Sequence, residues 1–254
     1  MISNQADTFA DSEHHAMAAV EDTMFYYIGL HRLLETQLLS NLNQSTLSVL
    51  DAGCGTGGFI KRLKVRYPKW TFTGLDYSAV ACDLARQRTA ETIVQGSILE
   101  LPFADQSFDA VVTADVLYHL PDDSVALKEI YRVLKPGGII VMNLPAHRWL
   151  WSYHDVAVAG LRRYTRREVK QKLVAVGFKV NFCSHWNTLL LPLIILKRKV
   201  MAAPKEGSDV KTYSPLLEWF CGILLSIERA ALSLGIRLPL GSSVLAVARK
   251  MTKV

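Results

Sequence analysis

Val49-Leu50-Asp51-Ala52-Gly53-Cys54-Gly55-Thr56-Gly57-Gly58 decides how this chain folds. A short apolar strand enters a loop with a glycine at every second position, and a helix leaves it. Glycine lets a backbone turn sharply and approach a ligand with no Cβ in the way. The helix start adds N–H groups that have no partner inside the helix. Working outward, strands are expected at 47–50, 71–75, 92–94, 108–113, 139–142, 178–182 and 244–248. Helices are expected at 58–67, 79–88, from Asp122 or Asp123 to about 134, and at 166–176. Ser78 suits an N-cap, and Gly177 suits the left-handed residue that follows a helix. Strands alternating with helices give a mostly parallel sheet covered on both faces. The fold class is therefore α/β, a Rossmann-like doubly wound sheet of seven strands.

Three pieces follow. Residues 1–45 form an N-terminal helical cap, with a helix expected over 12–40 from apolar positions three and four apart. Residues 46–186 and 243–254 form the ligand-binding sheet domain. Residues 187–242 are too long for a strand-to-strand connection and read as a helical insertion or lid. The first residues are expected to be disordered.

Asp76 ends the second strand, where a carboxylate can accept hydrogen bonds from both ribose hydroxyls of a nucleotide. A glycine loop alone also describes an ordinary surface turn, or the G-x-G-x-x-G loop of a dinucleotide enzyme. This loop reads Gly53-x-Gly55-x-Gly57 instead. Asp51, just before it, suits a cationic ligand such as the sulfonium and amino groups of S-adenosylmethionine, and would repel a pyrophosphate.

Bulk composition sets weaker bounds. The 254 residues carry 29 Lys and Arg against 23 Asp and Glu, a net charge of +6. That permits an anionic partner without requiring one. Cys54, Cys82, Cys183 and Cys221 are scattered, with no zinc-knuckle or CxxC spacing, and no export signal opens the chain. Reduced thiols and a cytoplasmic setting are expected. The run Leu189-Leu190-Leu191-Pro192-Leu193-Ile194-Ile195-Leu196 is shorter than the about 20 apolar residues a spanning helix needs. The basic Lys197-Arg198-Lys199 beside it leaves peripheral membrane contact through 187–242 as an expectation.

The glycine loop closely resembles the first motif of class I S-adenosylmethionine-dependent methyltransferases of the small-molecule type. The resemblance continues through Gly74-Leu75-Asp76-Tyr77-Ser78, through Leu101-Pro102-Phe103-Ala104-Asp105-Gln106-Ser107-Phe108-Asp109, and through Arg132-Val133-Leu134-Lys135-Pro136-Gly137-Gly138. It implies S-adenosylmethionine as cofactor. Asp51, Gly53, Cys54 and Gly55 would hold its methionine and ribose portions. Asp76 would bind the ribose, with Tyr77 against the adenine. Ser97 and Ile98 would border the adenine, serine standing where many relatives carry Asp. Asp115 would lie near the methionine end. Residues 17–27 resemble the N-terminal helix that closes over the cofactor in such enzymes, with Tyr26 and Tyr27 offering aromatic faces to the substrate side and the sulfonium.

Methyl transfer from a sulfonium is an in-line displacement, so the protein mainly aligns and dehydrates, and a base is needed only if the acceptor must lose a proton. Candidates for that chemistry follow the fourth and fifth strands. His147, His154, Asp155 and Tyr164 are candidate catalytic residues. His119, Trp151 and Arg163, with Tyr26 and Tyr27, are candidate acceptor contacts. His147 and His154 lack ligand spacing for a metal, and none is expected. His154-Asp155 and Arg162-Arg163-Tyr164-Thr165 also resemble a pattern in bacterial stand-alone methyltransferases of unassigned substrate.

The leading reading is methyl transfer to a small apolar or lipid-like acceptor, with no nucleic-acid partner, because a lid rich in Leu and Ile can bury an apolar substrate. Two alternatives stand beside it. One is nucleic-acid methylation, motivated by the net charge and by Arg162, Arg163, Arg166 and Arg167. The other is use of the cofactor without methylation, such as intramolecular cyclisation.

Overall fold

A computed structural model describes residues 11–200 and 209–252. The expectation for the first residues falls outside these. Seven strands form one sheet: β1 (Ser48–Ala52), β2 (Thr71–Asp76), β3 (Thr92–Gln95), β4 (Phe108–Ala114), β5 (Leu134–Pro145), β6 (Phe178–Trp186) and β7 (Ser243–Lys250). Their order is β3-β2-β1-β4-β5-β7-β6. Only β7 runs against its neighbours, pairing antiparallel with both β5 and β6. The chain order reverses between β1 and β4, and in open α/β sheets ligands bind in the crevice at that switch point, beyond the carboxyl ends of the strands.

The helices are α1 (Asp11–Val20), α2 (Phe25–Asn41), α3 (Gly58–Arg66), α4 (Ala79–Arg88), α5 (Asp123–Val133), α6 (Tyr153–Ala157), α7 (Arg166–Val176), α8 (Leu191–Ile195) and α9 (Pro215–Ser233). Their ends follow local chemistry. Ser78 accepts from the Ala81 N–H to cap α4, and Asp122 rather than Asp123 caps α5. Thr165 and Glu168 close a capping box on α7, which ends at Gly177 with φ +106°.

Alternate strand residues enter opposite layers, as the pleat requires. Val49, Phe72, Val112, Val141 and Val247 face a layer built with Leu34, Leu38, Ile60, Leu63 and Leu225. Leu50, Leu75, Val111, Ile140 and Ala246 face the other, with Leu127, Ile130, Val169 and Leu173. All these side chains are buried.

Three departures from the sequence reading matter. The helix expected over 12–40 is two helices, parted at Glu21–Met24, where Met24 takes ψ +128°. The apolar period runs on across the gap, and no Gly or Pro marks it. Strand β5 starts at Leu134, straight after α5, and absorbs the expected Lys135–Gly138 turn through a register shift against β4. Strand β6 continues past Phe182 to Trp186. The segment after it supplies α8 and α9. Helix α9 lies along α2, with Leu225 close over Gly29, and Glu218 Oε2 accepts from the Phe25 N–H at 2.6 Å.

Candidate active site

The glycine loop is pinned to the sheet by its own backbone. Gly53 and Cys54 donate to the Leu75 carbonyl at 2.7 and 3.0 Å. Gly53 lies at φ +89°, and a Cβ there would overlap the Val116 side chain. Gly55 lies at φ +51°, with Met17 of α1 close above it: a Cβ would come 2.6 Å from the Met17 Cε. Glycine is required at both positions for conformation and for space. The Cys54 thiol points into the core, 2.8 Å from where a Cβ on Gly74 would be. Burial pushes the Cys54 thiol pKa up.

Two carboxylates flank the loop in different states. Asp76, at the end of β2, accepts from the Gly55 N–H at 2.8 Å and from the Ser78 N–H at 3.0 Å. Asp51, at the end of β1, is 4% exposed, and among the described residues no donor hydrogen-bonds its side chain. Burial, and then the charges of Glu21 and Asp76, push its pKa up to about 8. A buried carboxylate without a donor is costly, and an arriving ammonium would relieve it. Beyond β3, the Gly96 N–H donates to the Asp76 carbonyl at 2.9 Å, the Ser97 Oγ accepts from Leu99 at 3.1 Å, and Ile98 is buried. Tyr77 is 54% exposed beside this loop. The residues present thus fit S-adenosylmethionine: an unpaired acid for its ammonium, a second acid for the ribose, and a loop that a Cβ would fill.

A network lies at the other end of the crevice. Asp115 holds φ +54°. Its Oδ2 accepts from the Tyr26 hydroxyl and its Oδ1 from the Asn143 amide, both at 2.9 Å. Asn143 in turn accepts from the Trp186 indole, whose ring stacks on Tyr26 at 5.7 Å. Burial pushes Asp115 up to about 6 against the lowering effect of these donors. Burial pushes the pKa values of Tyr27 and Tyr118 up, and the Asp115 charge adds to the shift in both. His119 turns its Nδ1 to the Ala159 carbonyl at 3.2 Å, and burial lowers its pKa.

The four candidate catalytic residues are not gathered at one point. Asp155 is bound twice by Arg163, at 2.7 and 3.0 Å, and accepts from the Ser152 N–H at 2.8 Å. It does not orient His154, whose Nδ1 accepts from the Asp209 N–H at 3.1 Å. Burial and Arg198 push His154 down to about 4. The Tyr164 hydroxyl lies 2.7 Å from Asp123 at the start of α5, inside the second core layer. The His147 ring lies tilted by 34° against that of His185, with ring centroids 4.6 Å apart. Arg163 is buried and also donates to the Ala146 carbonyl at 3.0 Å. Trp151 is half-buried, and its carbonyl accepts from Lys199 at 2.7 Å. Among the described residues no group of three His, Cys, Asp or Glu could hold a metal.

Sequence reasoning missed a latch. Glu21, in the break between α1 and α2, accepts from the Thr56 hydroxyl and from Arg88, and Arg88 also meets Asp22 at 2.9 Å. The Glu21 carboxylate fills the space where a Cβ on Gly58 would go. It therefore clamps the cap to the start of α3 and to α4. Asn143 and Trp186 were missed as well.

Comparisons with known proteins agree with this geometry. A family model described as a methyltransferase domain matches residues 50–142. Demethylmenaquinone methyltransferase of Staphylococcus aureus (strain JH9) is 37% identical over 117 residues, 44% of this chain and 48% of that protein. The chain thus spans about half the length of the curated relatives it matches. Two solved structures share the fold across nearly the whole chain. The methyltransferase bound to the Trm112 methyltransferase activator of Haloferax volcanii has a TM-score of 0.65 at 20% identity, covering 98% of both chains. Phosphoethanolamine N-methyltransferase 2 of Haemonchus contortus, in complex with S-adenosyl-L-methionine, has a TM-score of 0.65 at 15% identity, covering 99% of this chain and 61% of that one. The methyltransferase-domain match thus runs from β1 into β5, the part of the sheet that carries the glycine loop, Asp51 and Asp76.

Proposed function

We propose that this chain transfers the methyl group of S-adenosylmethionine to a small apolar or lipid-like acceptor. When bound, the cofactor supplies a methyl group already activated on a sulfonium. The chain supplies placement. Asp51 meets the ammonium, Asp76 the ribose hydroxyls, and the backbone of Gly53 to Gly55 lies against the methionine portion. Tyr77, Ser97 and Ile98 border the adenine. Helices α1 and α2, with α8 and α9, cover the crevice and exclude water, a role supported by Met17 over Gly55 and by α9 packed along α2.

Acceptor contacts are assigned to Tyr27, Tyr118, His119 and the rim near Trp151. If the acceptor must lose a proton, Asp115 takes it, held in place by Tyr26 and Asn143. Asp155 and Tyr164 act as positioning residues, through Arg163 and Asp123. His154 closes the contact between α6 and Asp209.

The observation that carries the choice of acceptor is the apolar face of α9. Leu216 is 74% exposed, Trp219 64%, Phe220 52%, Ile223 39% and Ile227 55%, at three- and four-residue spacing on one side of the helix. Patches of this kind mark contact with apolar ligands, lipid or partners. The name of the Staphylococcus aureus relative points to the same acceptor class. No helix among the described residues is long and apolar enough to cross a membrane, so we place α8 and α9 in peripheral contact with one. Incubation with methyl-labelled cofactor and a panel of prenylated quinols, other isoprenoid lipids, tRNA and DNA tests the proposal. Label in the lipid fraction with matching S-adenosylhomocysteine supports it. Label confined to nucleic acid, or cofactor consumed with no transfer, refutes it.

A further inference from the structure

We infer that the chain has a second binding site, for a phosphate-type oxyanion, between the first turns of α7 and the paired imidazoles of His147 and His185. An open cavity of about 520 Å³ lies there, lined by these two histidines with Arg166, Arg167, Lys170 and Gln171. The mechanism proposed above uses none of the groups on α7.

The charges in this cavity are unbalanced. Arg166, Arg167 and Lys170 have no carboxylate within ion-pair distance among the described residues. Arg166 reaches only the Leu238 carbonyl, at 3.3 Å. Glu168 is the nearest acid in sequence, and its carboxylate is held by the Thr165 N–H and hydroxyl at 2.7 and 2.8 Å. The capping box satisfies Thr165 and Glu168, which leaves the Arg166 and Arg167 amides at the start of α7 without acceptors, a setting that favours anions.

The histidines supply the independent observation. His185 is 4% exposed. Its Nδ1 is committed to the Pro239 carbonyl at 2.9 Å, while its Nε2 is buried with no partner. The His147 Nε2 is buried and unpartnered too. His147 holds φ +60°, a left-handed conformation uncommon outside glycine. Buried polar atoms in native proteins find partners in nearly every case, and both of these belong to residues that line the cavity. The charges acting on the two rings from other elements are cationic, from Arg163 and Arg166. A metal ion would meet two imidazoles, no carboxylate and three cations. An oxyanion meets three cations, two helix amides, and two imidazoles that can pair with it or accept its proton. A phosphate group with two negative charges near neutral pH fits this set. It could belong to a lipid headgroup, since Leu238 and Pro239 bring the stretch after the apolar helix α9 to the rim, or it could be free in solution.

The test is calorimetric titration of the full chain with inorganic pyrophosphate at low salt, with sodium chloride of equal ionic strength as control. Saturable binding of one equivalent is expected. Arg167→Gln with Lys170→Gln, both exposed and without partners, should weaken it at least fivefold. His185→Asn, which keeps a donor towards Pro239 and removes Nε2, should weaken it severalfold. Melting temperature and S-adenosylhomocysteine affinity should stay unchanged in the exposed double variant. No saturable binding, or binding that both variants leave unaltered, overturns the site. Phosphatidylcholine vesicles with and without phosphatidic acid separate the sources. Displacement of bound pyrophosphate by phosphatidic acid vesicles alone assigns the site to a lipid headgroup, and displacement by neither assigns it to a soluble phosphate.

Discussion

Binding of S-adenosylhomocysteine at neutral pH should release a proton from Asp51. The side chain is 4% exposed, and its pKa is pushed up to about 8 by burial and by the charges of Glu21 and Asp76. At pH 7 such a group is about nine-tenths protonated. An ammonium placed beside it favours the carboxylate, so binding at pH 7 releases about 0.9 proton, and about 0.1 at pH 9. Asp115, at about 6, is already about nine-tenths ionised at pH 7 and adds little. Affinity should therefore tighten by nearly tenfold from pH 6 to pH 7 and level off near pH 8, where the ligand's own amino group begins to lose its proton. Calorimetry at pH 7 in two buffers of different ionisation enthalpy, PIPES and imidazole, reads the release directly from the change in apparent binding enthalpy. Asp51→Asn should abolish the release and flatten the pH dependence. Equal enthalpies in both buffers for the unaltered protein, or the same release from the Asn variant, would show that Asp51 is not the group that loses the proton.

Other consequences follow from the same contacts. Because Asp51 and Asp115 are both raised in the folded state, each favours folding below its unfolded value near pH 4 and loses that contribution as pH rises through about 8 and about 6. Ligand-free protein should lose stability between pH 4 and 8, and Asp51→Asn should recover a few kcal/mol at pH 8 in urea unfolding. Arg88→Ala leaves the Glu21 carboxylate buried without its cation, which costs about 3 kcal/mol. The melting temperature should drop, and affinity for S-adenosylhomocysteine should fall with it as the cap loosens. Tyr26→Phe removes a donor that lowers the Asp115 pKa, so the acid limb of turnover should move to higher pH while cofactor affinity changes less than threefold. An unmoved limb would take Asp115 out of the reaction. Trp219→Glu with Phe220→Glu, on the exposed face of α9, should cut binding to lipid vesicles severalfold with little change in melting temperature. Unchanged vesicle binding would leave that face to another partner.

What the sequence discloses depends on how far apart the interacting residues lie in the chain. The glycine loop, Asp76 and the Ser78 cap are local, each set by a strand, a turn and a helix start within a few positions, and they stand where pattern reading puts them. The seven strands and their helices follow for the same reason. The Tyr26–Asp115–Asn143–Trp186 network joins the cap, β4, β5 and β6, and no spacing rule links such positions. The Glu21–Thr56–Arg88 latch is equally non-local. Its consequence, the break in the expected 12–40 helix, leaves no mark because the apolar period continues through it. Adjacency also misled: His154 and Asp155 are neighbours in sequence, yet the Asp155 carboxylate turns to Arg163. The place of Asp115 follows from the family resemblance, but its partner Tyr26 emerges only in three dimensions.

Asp51 and Asp76 flank the glycine loop, and the proposed function stands on their holding S-adenosylmethionine. A crystal structure with S-adenosylhomocysteine tests it most directly. Both ribose hydroxyls are expected within about 3.0 Å of the Asp76 carboxylate, with the ammonium on the side of Asp51 and the sulfur facing Asp115 and Tyr26. A ligand bound with its ribose away from Asp76, or bound outside the β1–β4 crevice, would contradict it.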